Sequence, residues 1–201
     1  NHIVSRISKN GRNPAFSHYL SGRSLQSQGD YQGAVDQYRQ ALEINPDLAR
    51  ALEGLTMSYL RIDQEPMLVA YLGEFRRSNP DNMMVLSIIA SLHSRRGDHT
   101  MAVDVLEQGL KQSATWVNGY TALASNYRAD NNYKAAIASL ERGLVVLPDS
   151  RVLKMLLASS HEKYGDKSRA VQLYEEVLKI DPDHQAVINN LASLLTDEFE
   201  S

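Results

Sequence analysis

The sequence predicts an all-α solenoid of stacked antiparallel helix pairs, and three observations predict it. The first is a 34-residue period. It begins at Ala15 and returns without a slip at Ala49, Met83, Val117, Arg151 and Gln185, the last unit being cut short. The second is punctuation at fixed offsets. Gly29, Gly97 and Gly165 recur mid-unit, where a helix C-terminus favours the left-handed conformation. Pro46, Pro80, Pro148 and Pro182 recur at position 32, where proline stops a helix. The third is a pair of small-residue columns. Position 8 reads Gly22, Thr56, Ala90, Ala124, Ala158 and Ala192; position 20 reads Ala34, Leu68, Ala102, Ala136 and Ala170. Small residues at two such points let antiparallel helices approach closely.

Residues 1–14 form a lead segment ahead of an array spanning 15–201. Val4 and Ile7 fall on the phase of a preceding second helix, a frayed lead segment being the alternative, and Asn13-Pro14 reads as a cap followed by a first-turn proline. Repeat one is regular, except that His18 and Ser21 stand where bulky apolar residues are usual. Repeat two departs most. Its turn is Asp63-Gln64-Glu65-Pro66, and Leu68 and Phe75 occupy positions 20 and 27, so its helices are expected to splay or shift. Repeat three ends in Ser113-Ala114-Thr115-Trp116, without its proline. Repeats four and five are regular, with turns Asn131-Asn132-Tyr133 and Gly165-Asp166-Lys167. The unit at Gln185 has one helix, with Val187, Ile188, Leu191, Leu194 and Leu195 around much of its circumference. That reads as an array cut mid-repeat; a capping helix is the alternative.

Large residues fill the space around the small columns. Position 7 reads Ser21, Leu55, Ile89, Leu123, Leu157 and Leu191; position 11 reads Leu25, Tyr59, His93, Tyr127, His161 and Leu195; position 24 reads Tyr38, Leu72, Leu106, Leu140 and Tyr174. With these columns in phase over five full units, the chain resembles the tetratricopeptide repeat family along residues 15–198. The resemblance implies a right-handed superhelix whose groove is lined by the first helix of each repeat. It implies a protein- or peptide-binding function. Members that grip a chaperone's C-terminal carboxylate use lysine at position 5 and asparagine at position 9 of one repeat, then asparagine at position 6 of the next. Here those places hold Tyr19, Arg23 and Gly54, or Thr121, Ser125 and Leu156, so that clamp is absent. The repeat style is also similar to bacterial arrays of envelope polysaccharide and secretion systems. The compartment stays open between cytoplasm and bacterial envelope or periplasm.

Composition narrows the partner. The chain has 201 residues, is 43% hydrophobic and carries net charge −3, so no bulk basicity points to nucleic acid. Without cysteine there is neither a disulfide nor a thiolate metal site. No apolar run reaches membrane-spanning length. No phosphate loop, dinucleotide fingerprint, HExxH or GxSxG occurs, so neither an enzyme nor a cofactor is expected. His93 and His161 share position 11 two repeats apart and read as packing histidines.

Charge is sorted between the helices. Over five repeats the first-helix segments hold nine basic and three acidic residues, net +6, while positions 15–31 net −5. Sorted charge concentrates an oppositely charged partner. The competing explanation is that Arg61, Arg95, Arg96, Arg128 and Lys163 sit at helix C-termini, where cations favour the dipole. The expected groove is Tyr19, Arg23, Arg50, Met57, Met84, Ser91, Asn118, Ser125 and Arg128, a mixed surface suited to a peptide of acidic character. The expected function is a non-catalytic binding scaffold. The alternatives are a docking arm of a larger enzyme and a scaffold that self-associates through its end helices.

Overall fold

A computed structural model describes residues 13–199. Among the described residues there are eleven helices and no strand. In order they are α1 (Pro14–Ser27), α2 (Tyr31–Ile44), α3 (Ala49–Arg61), α4 (Glu65–Ser78), α5 (Met83–Arg95), α6 (His99–Gln112), α7 (Val117–Ala129), α8 (Tyr133–Val146), α9 (Arg151–Tyr164), α10 (Lys167–Ile180) and α11 (Gln185–Phe199). Odd-numbered helices open the repeats and even-numbered ones close them. The expected helical tail around Val4 and Ile7 lies outside the described residues.

The local signals act where the sequence puts them. Asn13 caps α1, its side chain accepting from the Phe16 amide at 3.3 Å, and Pro14 is the first helical residue. Asp30, Asn132 and Asp166 cap α2, α8 and α10 in the same way, from the amides of Gly33, Ala135 and Arg169. All five mid-repeat turns use the left-handed region at position 15. Gly29, Gly97 and Gly165 have φ of 83°, 81° and 98°, while Asn131 takes 56° and Asp63 takes 55°. Asn131 and Asp63 are the costlier members, because an L side chain crowds the backbone there. The proline stop proves dispensable. Helix α6 ends at Gln112, the same position as its counterparts, although Ala114 replaces the proline.

Close contacts divide the chain at Ile88 and Ile89, inside α5, into two compact units. In unit one, α1 and α2 pack along their length. Ala34, Tyr38 and Leu42 of α2 and Leu52 and Leu55 of α3 are fully buried or nearly so. His18 and Ser21 do not leave a gap in α1: Ser21 is exposed, and His18 Nδ1 lies 3.0 Å from Gln37 Oε1. The pair α3 and α4 is different. These helices approach closely over far fewer residues than the pairs of repeats one, four and five. Leu68 is fully buried and Phe75 nearly so, where other repeats hold Ala, Gly or Val. Their bulk accompanies the wider spacing of this pair, in keeping with the expected splay or shift.

In unit two, α7 packs on α8 and α9 on α10 along their lengths. The core alternates small and large side chains. Ala136, Ala158 and Ala170 are fully buried beside Leu123, Leu140, Leu153 and Tyr174. Gly143 permits one close approach: a Cβ there would stand 2.9 Å from Leu153 Cδ1. One polar cluster is part of this packing. Buried Asn126 donates to the Ala122 carbonyl at 2.8 Å, and its Oδ1 lies 2.7 Å from Ser94 Oγ and 2.9 Å from His99 Nδ1. Helix α11 buries Val187 and Leu194 and leaves Ile188 and Leu195 partly exposed.

Candidate functional site

The repeat architecture makes a cleft wherever two successive opening helices lie side by side on a closing helix. Unit one has such a cleft of ≈ 310 Å³ between α1 and α3. Tyr19, Arg23 and Gln26 come from α1, Tyr38 from α2, and Arg50, Glu53, Gly54 and Met57 from α3. Tyr38 is its anchor. Its ring lies against two glycines: a Cβ on Gly22 would stand 2.8 Å from it, and one on Gly54 would overlap it. Its hydroxyl donates to Gln26 Oε1 at 2.8 Å. Burial raises the Tyr38 pKa, neighbouring Tyr19 adds to the rise, and the Arg23 charge opposes it. The phenol therefore stays a neutral donor. The Arg23 guanidinium sits 5.8 Å from the Tyr19 ring centroid, within cation–π range. Met57 is 55% exposed and offers an adaptable apolar contact. Glu53 brings a carboxylate among these cations, so the cleft is mixed in charge.

Unit two has the equivalent cleft, of ≈ 410 Å³, between α7 and α9. Thr121, Ala124, Ser125, Arg128 and Ala129 come from α7, Tyr133 from α8, and Leu156 and Lys163 from α9. No carboxylate among the described residues lines it. Arg128 Nη2 donates to Ser159 Oγ at 3.3 Å, which fixes the guanidinium without neutralising it. Two cations thus flank a partly apolar surface.

Of the nine residues expected from sequence, Tyr19, Arg23, Arg50 and Met57 meet in the first cleft, and Ser125 and Arg128 in the second. Met84, Ser91 and Asn118 line neither. Gln26, Tyr38, Glu53, Thr121, Leu156 and Lys163 were missed. Glu53 and Lys163 had been counted as charges, but counting says nothing about which way a side chain leans. The charge sorting is also weaker than the count. Among the first-helix cations, Arg151 pairs with Asp181 at 2.8 Å and Lys154 with Glu176 at 3.0 Å, carboxylates on α10 or the residue after it. The position-11 histidines face the aspartate that follows each turn, His93 with Asp98 at 3.9 Å and His161 with Asp166 at 3.4 Å.

No helix among the described residues is long and apolar enough to cross a membrane. Comparison with known proteins finds the same repeat family in both units. A family model described as TPR repeat matches residues 22–62, and one described as tetratricopeptide repeat matches residues 121–184. Among curated proteins the chain is similar to anaphase-promoting complex subunit 3 of Schizosaccharomyces pombe, 20% identical over 83% of this chain and 25% of that protein. The bovine BBSome complex member BBS4 is 23% identical over 92% of this chain and 42% of its own length. The chain thus spans well under half the length of the curated relatives it matches. Among solved structures, yeast Tom70 superposes with a TM-score of 0.75 at 17% identity, covering 96% of this chain and 42% of that one. YrrB, described as a TPR protein with an unusual peptide-binding site, superposes at 0.57 with 13% identity, covering 94% and 97%. At such identities the superpositions speak for the fold alone. With five full repeats in register and family models matching in both units, the chain belongs to the tetratricopeptide repeat family.

Proposed function

We propose that this chain is a binding scaffold that holds an acidic polypeptide segment in the clefts between its opening helices. The observation that carries the reading is the unit-two cleft, where Arg128 and Lys163 line the surface with no carboxylate among its residues. Leu156, Ala124 and Ala129 supply apolar contact beside them. The unit-one cleft contributes through Arg23, Arg50 and Met57 and is the weaker of the two, because Glu53 opposes an acidic ligand. The peptide-binding site of YrrB and the complexes to which the curated relatives belong are in keeping with this class of function.

Surface ion pairs contribute about 0–1 kcal/mol each, so affinity rests on several cations together and falls with salt. The test uses four fluorescein-labelled Gly-Ser decapeptides carrying three glutamates, glutamines, lysines or arginines, read by fluorescence anisotropy. The glutamate peptide should bind best, Arg128→Glu should weaken it more than Arg23→Glu, and raising salt from about 0.1 M to about 1 M should suppress it. Equal binding of glutamate and glutamine peptides, or indifference to Arg128→Glu, overturns the proposal.

A further inference from the structure

Unit one has a second cleft, of ≈ 400 Å³, on its closing helices. It opens between α2 and α4, and none of the opening-helix residues described above lines it. Buried Leu42 and Phe75 and half-buried Tyr71 form its apolar part. The Tyr71 and Phe75 rings lie 5.7 Å apart, tilted by 31°. Glu43 and Glu74 line it too; both are exposed, and neither makes an ion pair or hydrogen bond among the described residues.

Unit two shows how the same seam is otherwise closed. There Glu107 of α6, at position 25, meets Arg142 of α8, at position 26 of the next repeat, in an ion pair of 2.8 Å. Unit one holds the same two positions with the charges exchanged, Arg39 and Glu74. That pair does not form. The Arg39 guanidinium lies instead over Tyr71, 5.4 Å from its centroid, and Glu74 has no partner among the described residues. The bulk of Phe75 at a position that is small in three of the other four repeats accompanies the opening.

We infer that the α2–α4 cleft is a second ligand site, for a lysine- or arginine-bearing segment of a partner polypeptide whose cation stacks on Tyr71 between Glu43 and Glu74. Charge complementarity selects this occupant. Two uncompensated carboxylates exceed one guanidinium, and an aromatic face flanked by carboxylates suits a cation. Arg39 already occupies that face and acts as an internal stand-in for the ligand. Burial pushes the Tyr71 phenol up to about 12, so its hydroxyl remains a donor for a ligand carbonyl. The site does not depend on the acidic-segment reading, since the two clefts share no residue and take opposite charges.

The same four decapeptides test it on the full chain. The arginine and lysine peptides should bind. Glu43→Gln and Glu74→Gln should each weaken them by up to about fivefold, the most an exposed ion pair usually contributes. Arg39→Ala, which removes the stand-in, should tighten them. Asp104→Asn in α6 removes the same charge elsewhere and should change nothing. Arg23→Glu and Arg128→Glu should leave basic-peptide binding intact, so loss of one site is distinguishable from loss of the other. If Asp104→Asn weakens the basic peptides as much as Glu74→Gln, the attraction is only net charge. If Arg39→Ala weakens them, or the glutamine peptide binds equally well, the cleft is not a cation site. Each of those results overturns the inference.

Discussion

Repeat two and repeat four have the same boundaries and different interiors. Both place a first helix at positions 1–13 and a second at 17–30. In repeat four, α7 and α8 pack along their length around fully buried Ala136, with Gly143 at position 27. In repeat two the corresponding residues are Leu68 and Phe75, and α3 and α4 pack loosely. Helix α8 starts on a capping Asn132, whereas α4 starts at Gln64 with no side-chain cap. The left-handed turn residue is Asn131 in one and Asp63 in the other. Helix boundaries are therefore set by local turn chemistry, and helix spacing by the volume of two side chains. One can be kept while the other changes. The looser repeat is also the one whose closing helix borders the open α2–α4 seam.

The largest test of this contrast is cavity formation. Leu123→Ala in tightly packed repeat four should cost about 2–5 kcal/mol, near the upper end, because the surrounding helices cannot collapse. Leu68→Ala should fall near the lower end, since α3 and α4 can close on the smaller residue. Denaturant melts compare them, and equal costs would break the account of the splay. Next is the reverse substitution. Ala136→Leu places in repeat four the residue that repeat two already accommodates, and overpacking should destabilise by about 1–3 kcal/mol. A neutral effect would mean position 20 does not control spacing. Smaller again are the caps. Asp166→Ala removes the bond to the Arg169 amide at 3.1 Å and should cost about 1 kcal/mol. Gln64→Asp, which gives repeat two the cap it lacks, should stabilise by no more than that.

The last effect is confined to alkaline pH. Burial is the main cause of the raised Tyr71 pKa, with Glu43 adding to it and Arg39 opposing it. The folded state therefore holds the phenolic proton more tightly than the unfolded chain, whose tyrosine titrates near about 10. The sign follows: this contribution is fully present below about pH 10 and is lost as pH rises toward about 12. Ultraviolet titration of wild type against Tyr71→Phe should show one late-titrating phenol missing from the variant. Its absence from wild type would mean the α2–α4 cleft is wetter than its aromatic packing implies.

The fold was legible in the sequence because a repeat writes each structural demand five times. A left-handed turn, a helix stop and a close approach recur at fixed spacing, and each has a short-range cause: glycine or asparagine geometry, proline's fixed φ, a missing side chain. Even the irregular repeat announced itself through Leu68 and Phe75. The clefts were legible only in part. Tyr19, Arg23, Arg50 and Met57 were found because the repeat phase assigns a helix face. Met84, Ser91 and Asn118 have the same phase and line neither cleft, because phase does not say where two helices leave space between them. Lys154 and Arg151 count among the first-helix cations, yet carboxylates on and just after α10 lie within reach of both. Tyr38 and Gly22 read as a large and a small member of the packing columns, and only the structure lays the backbones of Gly22 and Gly54 against the one ring. Sequence determined the period, the turns and the helix-pair fold, because those follow from interactions within a few residues. Tertiary structure decided which charges pair, which are left free and where the clefts open, because those depend on side chains some twenty to forty positions apart meeting across a helix interface.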